Sequence, residues 1–236
     1  MTGAGGSGAG GATGAGGSPT TGGGGTGTVA PPRDFSTVLT EAQFDSMFPQ
    51  RNSFYTYAGF VAAATKYSAF AAVGDATVQK QEVAALLANV ALETNFLQAI
   101  NEDQQAPYCD STNVQYKCAA GQEYFGRGPL QISWNYNYGA AGAALGQNLL
   151  ANPGLVATDA TISWETALWF WMTSAPKGRT AHTIMATSQG FGLTIDVING
   201  AVECNGQDPT AMNKRVANYT NFCNQLGVPT GTNLTC

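Results

Sequence analysis

From Arg33 onward the hydrophobic positions follow a helical period. Thr40 followed three residues later by Gln43 has the form of a capping box and predicts a short helix through Met47. An alanine-rich apolar stretch from Thr56 to Phe70 predicts a second helix. After Gly74, Thr77 can cap a third, in which Val83, Leu86, Leu87 and Val90 recur on one face. Weaker helical patterns cover Trp134 to Leu145, Thr161 to Thr173 and His182 to Ala186. The last element is fully punctuated, with Asp208 as N-cap, Pro209 in the first turn and Gly227 as the stop. Its inward positions are Met212, Val216, Tyr219, Phe222 and Leu226. Strict two-residue alternation is scarce, and one small hairpin is expected within Tyr116 to Gln131. The fold class expected is therefore mainly α with a minor β element, without internal repeats.

Composition divides the chain in two. Of the 30 glycines, 14 fall in the first 30 positions, and Thr2 to Pro32 carry no charge and almost no large apolar side chain. Such a segment cannot bury enough surface to offset its ordering entropy, so residues 1–32 are expected to be a Gly/Ser/Thr-rich linker and residues 33–236 one domain. All 25 charged residues lie in that domain, 15 acidic and 10 basic, for a net charge of -5 with no Lys/Arg cluster. This balance argues against nucleic acid or an anionic membrane as partner. Apolar runs such as Thr166 to Thr173 fall well short of the roughly 20 residues that span a bilayer. With one histidine, His182, and no Cys-x-x-Cys pair, a structural zinc site lacks ligands, and no Gly-rich phosphate loop occurs in the domain. No cofactor is expected.

The five cysteines, Cys109, Cys118, Cys204, Cys223 and Cys236, permit at most two intrachain disulfides. The close pair Cys109/Cys118 would tie off a short loop; the alternative is a set of free buried thiols. A low-complexity linker ahead of a cysteine-bearing domain fits an exported protein, and no basic and apolar leader follows Met1.

Two carboxylates stand out. Glu93 lies three residues after Val90 and seven after Leu86, within the apolar stripe if the helix continues. Burial there would raise its pKa and suit it to act as a general acid; a frayed helix end would instead turn it to water. Glu102 sits in the loop-like stretch Asn101 to Pro107 and faces the same cleft as Glu93 only if the helix breaks between them. Composition alone favours a solvated loop acid. Paired carboxylates on opposite walls are what glycoside hydrolysis requires. Arg215 falls on the inward stripe of the last helix, where a buried guanidinium needs an acceptor such as Glu203 or Glu93 unless it reaches the edge. Trp134, Tyr136 and Tyr138 alternate with Asn135 and Asn137, a mixture suited to a sugar's CH faces and hydroxyl edges. Trp169-Phe170-Trp171 reads as core packing, and His182 as a structural histidine.

Together these segments resemble glycoside hydrolase family 19 chitinases. The resemblance rests on Ala42 to Phe48, Phe54 to Tyr57, Phe60 to Ala64, Leu92-Glu93-Thr94, Tyr124 to Tyr138, Ala167 to Met172, Gly190-Phe191-Gly192, Ile198-Asn199-Gly200 and Glu203-Cys204. It runs in order across Asp34 to Cys236, and the short spacing from Glu93 to Glu102 is similar to the compact bacterial branch. The resemblance implies a lysozyme-like fold with two helical lobes flanking a cleft, and endo-type, inverting hydrolysis of β-1,4-linked N-acetylglucosamine polymers. It implies Glu93 as general acid, Glu102 as general base and Ser133 as a holder of the attacking water. Gln131, Tyr136, Asn137 and Asn199 match substrate-binding positions, and Glu203 and Arg215 the charged network behind the acid. Cys109/Cys118 and Cys204/Cys236 match the family's disulfides, which leaves Cys223 free. The implied partner is chitin or chito-oligosaccharides, bound by a secreted monomer. One position departs from the pattern: the family's histidine before the acid is Leu92 here, and the Gly-Gly that commonly follows is Asn95-Phe96. Two rival readings share these residues, a peptidoglycan hydrolase and a chitin-binding protein without turnover; the first is weakened by the absence of a basic patch.

Overall fold

The computed structural model describes residues 34–236, so the segment expected to be a linker lies outside the described residues. A 3-10 turn at Phe35–Thr37 precedes nine helices among the described residues: α1 (Glu41–Met47), α2 (Tyr57–Lys66), α3 (Ala76–Glu93), α4 (Asn135–Leu145), α5 (Leu155–Thr158), α6 (Ala160–Thr173), α7 (Ala181–Ala186), α8 (Gly192–Glu203) and α9 (Pro209–Leu226). The Thr40/Gln43 capping box is formed, and Asp208, Pro209 and left-handed Gly227 bound α9 as expected. Among the described residues, no helix is long and apolar enough to cross a membrane.

Three boundaries differ from the sequence expectation. α2 stops at Lys66 rather than Phe70, because Tyr67 leaves the helical region with φ of -103° and ψ of 73°. α3 is capped by Asp75, not Thr77; its carboxylate accepts the amides of Thr77 and Val78. The expected hairpin is reduced to isolated antiparallel bridges, Asn101 with Arg127 and Arg127 with Ile132.

α3 is the axis of the fold. Every residue from Gln81 to Ala91 is buried, rather than only the face marked by Val83, Leu86, Leu87 and Val90. Alanines at 84, 85, 88 and 91 keep the other faces slim, so neighbours close in on all sides. α9 packs along it antiparallel: Lys80 donates to the Leu226 carbonyl at one end, and Arg215 bonds Asn89 at the other. α2 lies on α6, where Phe44, Phe60 and Trp164 meet at ring-centroid distances of 4.9 to 6.2 Å. Phe170 and Trp171 are buried, as the core reading requires, while Trp169 is half-buried and packs against the core.

Glu82 fastens three elements to this axis. Its carboxylate is 1% exposed, accepts the Ala71 amide (2.9 Å) and the Trp171 indole N–H (3.0 Å), and meets His182 Nδ1 at 2.7 Å. The hydrogen bond to Glu82 raises the His182 pKa, against a smaller opposing effect of burial. A raised folded-state pKa means that this stabilisation is present in full below the unfolded value of about 6.5 and is lost as pH rises through the folded one. The difference in thermal midpoint between the wild type and His182→Gln, followed by circular dichroism, is therefore expected to shrink as pH rises above the unfolded value of about 6.5. A difference that stays constant as pH rises would show that the pair does not titrate as described.

Candidate active site

Glu93 is the last residue of α3, and the chain leaves the helix abruptly behind it. Asn95, Phe96 and Leu97 have φ of 49°, 59° and 60°, three successive left-handed residues without a glycine. Each costs about 1–3 kcal/mol and persists only where neighbours over-determine it. Here the Phe96 amide returns to the Ala91 carbonyl, the Thr94 hydroxyl accepts the Leu97 amide, and the Leu97 carbonyl accepts the Asn52 amide. This turn breaks the helix between the two carboxylates, as a shared site demands.

Glu93 is 6% exposed and receives one hydrogen bond, from Arg215 Nη2 at 2.5 Å. The same guanidinium grips Glu203 with two parallel bonds, Nε to Oε2 at 2.7 Å and Nη2 to Oε1 at 2.6 Å. Its third nitrogen reaches Asn89 Oδ1 at 3.1 Å, and the Asn89 amide continues to Thr194 Oγ at 3.2 Å. Asn199 donates to Glu203 Oε1 at 2.8 Å from a kink in α8, where its φ of -146° and ψ of 31° leave the helical region. One cation thus serves two buried carboxylates. Burial raises the pKa of Glu93, an effect larger than the opposing attraction of Arg215, and Glu203 adds to the rise. Desolvation works against the charge on Arg215, but the two carboxylates hold its pKa above the ordinary value. Of the two carboxyl groups, Glu93 accepts the single bond, and burial pushes its pKa above the usual carboxylate range.

Glu102 belongs to a second cluster. It is 6% exposed, not the solvated loop acid that composition favours. Its backbone amide bonds the Gly126 carbonyl at 2.9 Å, while Oε1 accepts the Gly126 amide at 2.6 Å and Oε2 the Tyr108 hydroxyl at 3.4 Å. The turn that follows depends on Gly128, whose φ is 76° and whose position would place any Cβ 2.9 Å from Ser163 Oγ. Gln131 donates to the carbonyls of Ile100 (3.2 Å) and Gly128 (2.7 Å), bracing the strand of chain that leads to Glu102.

Ser133 is buried beside this turn, and its carbonyl accepts the Asn137 amide at 2.8 Å. Trp134 and Tyr136 remain half-buried and stack with interplanar angle 10° and centroids 6.0 Å apart. Tyr138, in contrast, is core: its hydroxyl donates to the Phe125 carbonyl and accepts from Arg127. Of the site residues named from sequence, Glu93, Asn199, Glu203 and Arg215 thus form one bonded cluster, while Gln131 braces the chain leading to Glu102, Asn137 bonds Ser133 and Tyr136 stacks on Trp134. Asn89, Thr194 and Tyr108 escaped the sequence reading. A lone asparagine in the apolar run of α3, four residues before Glu93 and hence on its face, was the available signal for the first.

Disulfides join Cys109 to Cys118 and Cys204 to Cys236, and Cys223 is free and buried. The second pins the C-terminal strap across α8. Gly192 donates to the Asn233 carbonyl, and a Cβ at Gly192 would lie 2.0 Å from the Thr235 oxygen. The kink bearing Asn199 and Glu203 is thereby fixed from outside the core.

Comparison with known proteins bears on the whole of this domain. The class I chitinase model of glycoside hydrolase family 19 matches residues 34–236. Endochitinase A of Zea mays is 48% identical over 208 residues, covering 85% of this chain and 71% of its own. Chitinase 4 of Oryza sativa subsp. japonica is likewise 48% identical, covering 85% and 70%. Chitinase C from Streptomyces griseus HUT6037 superposes with a TM-score of 0.81 at 50% identity, covering 85% of this chain and 98% of that one. The class IV chitinase of Zea mays gives a TM-score of 0.77 at 46% identity, covering 84% and 98%. The helical, lysozyme-like fold and the order of its motifs are those of these enzymes: the chain belongs to glycoside hydrolase family 19 and is a glycoside hydrolase.

Proposed function

We propose that the protein hydrolyses chitin and chito-oligosaccharides within the chain by an inverting acid/base mechanism. The observation that carries this reading is the unequal surroundings of two buried carboxyl groups. Glu93 shares one guanidinium with Glu203 and has its pKa raised by burial, while Glu102, on a separate braced loop, has a donor on each oxygen. In its neutral form Glu93 donates a proton to the glycosidic oxygen as the bond to the anomeric carbon breaks. Glu102 accepts a proton from a water that attacks the opposite face of that carbon, and Ser133 helps to hold the water. Inversion of a β-linkage gives an α-anomer, and room for the water requires carboxyl groups about 6.5–9.5 Å apart. The stacked, half-buried Trp134 and Tyr136 supply apolar faces for the sugar ring, with Gln131, Asn137 and Asn199 as hydrogen-bonding neighbours. The endo mode is supported by the maize relative, an endochitinase. Two disulfides suit an oxidising compartment, in keeping with secretion as a monomer.

In this reading, early products from chitin hexamer observed by rapid NMR are α-anomers. Glu93→Gln and Glu102→Gln each lower kcat by about 100- to 10,000-fold with the circular dichroism spectrum unchanged. Initial β-anomers would exclude inversion, and a Glu93→Gln enzyme retaining most of its rate would remove Glu93 from the assignment. Reducing ends released from bacterial walls but not from the hexamer would redirect the activity to peptidoglycan.

Activity should also fall on the alkaline side as Glu93 loses its proton, at a pH above the usual carboxylate range. Glu203→Gln removes a like charge and leaves Arg215 to Glu93 alone, which lowers the Glu93 pKa. The alkaline limb of kcat/KM is then expected at lower pH than in the wild type; an unmoved or upward-shifted limb would contradict the charge assignment.

The domain boundary at Arg33 rests on composition. Deletion of residues 2–30 should leave the rate on soluble oligomers unchanged, and an appreciable loss would show that the segment acts in hydrolysis.

A further inference from the structure

Asn135, the first residue of α4, has no exposed surface. Its side chain makes every hydrogen bond to one loop, the loop closed by Cys109–Cys118. The amide oxygen accepts the Asp110 N–H at 2.8 Å, and the amide nitrogen donates to the carbonyls of Asp110 at 3.2 Å and Tyr116 at 2.6 Å. Its backbone N–H donates to the Tyr108 carbonyl at 3.2 Å. One turn along α4, on the same face, Gly139 receives the Tyr116 ring, and any Cβ there would lie 2.3 Å from a ring carbon. The loop is therefore docked on α4 at two points, both by contacts that no other residue type reproduces.

The docking aims Tyr108. That residue precedes the disulfide, has a left-handed φ of 44°, packs edge-on against Trp134 at 5.3 Å, and directs its hydroxyl to Glu102 Oε2 at 3.4 Å. Trp134, immediately before Asn135, is also left-handed, with φ of 74°. Non-glycine residues persist in this region only where the surroundings over-determine them, and Asn135 supplies bonds on both sides of the pair. The Gly126 amide fixes one oxygen of Glu102 and the Tyr108 hydroxyl the other, which sets the plane of the carboxylate.

We infer that Asn135 is a positioning residue for hydrolysis, acting through the Cys109–Cys118 loop to hold the Tyr108 hydroxyl on Glu102. The inference rests on the reading of Glu102 as general base. Asn135→Asp keeps the size of the side chain but turns two donors into an acceptor facing two carbonyls. Tyr108→Phe removes only the hydroxyl. Both, with the double variant and Glu102→Gln, are to be assayed on a soluble chito-oligosaccharide for kcat, KM and pH profile.

Asn135→Asp is expected to lower kcat about tenfold with KM little changed. The acid limb should move to higher pH, because the carboxylate loses a donor to its charged form. Tyr108→Phe should shift kcat and the limb in the same directions, and the double variant should be no worse than Asn135→Asp alone, the signature of residues acting through one another. If Asn135→Asp lowers only the thermal midpoint, or if the two effects multiply, Asn135 is structural and the inference fails. Should Asn135→Asp not fold, Tyr108→Phe decides: wild-type kcat and acid limb would overturn the inference. A Glu102→Gln enzyme that keeps its rate would instead overturn the base assignment, and the inference with it. An inactive Glu102→Gln beside wild-type behaviour of the other two variants would confine the failure to the positioning role.

Discussion

A single guanidinium, that of Arg215, is shared by two carboxylates inside the protein core, and the arrangement of α3, α8 and α9 is built around it. A buried charge is tolerable only when paired and hydrogen-bonded, and breaking one partner away from such a cluster costs about 3–5 kcal/mol. Each of the three helices contributes one charged group, so none can slide without exposing or orphaning a charge. Replacing such a cluster with well-packed apolar side chains is, in general, often neutral or stabilising. The bidentate grip falls on Glu203, and Glu93 is left with a single bond.

The two carboxyl groups sit in different surroundings. Glu93 is embedded at the end of a helix surrounded by core, where desolvation raises its pKa. Glu102 is equally inaccessible, but a backbone N–H and a phenol donate to it. The eight residues between them carry the left-handed run at Asn95 to Leu97, so conformational strain is concentrated where the two environments must be separated within a short length of chain.

Much of this fold was legible in the sequence, because its helices are bounded by side chains that satisfy their own end groups. Thr40 with Gln43 and Asp208 with Pro209 and Gly227 are local signals, and local signals survive translation into structure. α8 was not legible. Its run Gly192-Leu-Thr-Ile-Asp-Val-Ile-Asn-Gly200 is rich in glycine and β-branched residues, and it is held helical by the C-terminal strap and the Cys204–Cys236 disulfide rather than by propensity. Asn199 could therefore be named only through the family resemblance, whereas Glu203 was reachable only as one candidate acceptor for Arg215. The burial of Glu102 was equally hidden, since the groups that bury it lie 24 residues further along the chain. Arg215 was readable from periodicity alone, because α9 presents it on the stripe of Met212 and Tyr219.

The departure at Leu92 is best judged against the same geometry. Successive residues on a helix point about 100° apart, so the side chain before Glu93 does not share its direction. Leu92 is half-buried and apolar, and it has no polar atom to offer the acid. The hydrogen bond that fixes Glu93 comes instead from α9, across the core, and the charge that raises its pKa further comes from α8. The orientation of Glu93 and the rise in its pKa thus come from burial and the Arg215 cluster, and neither involves a contact from position 92.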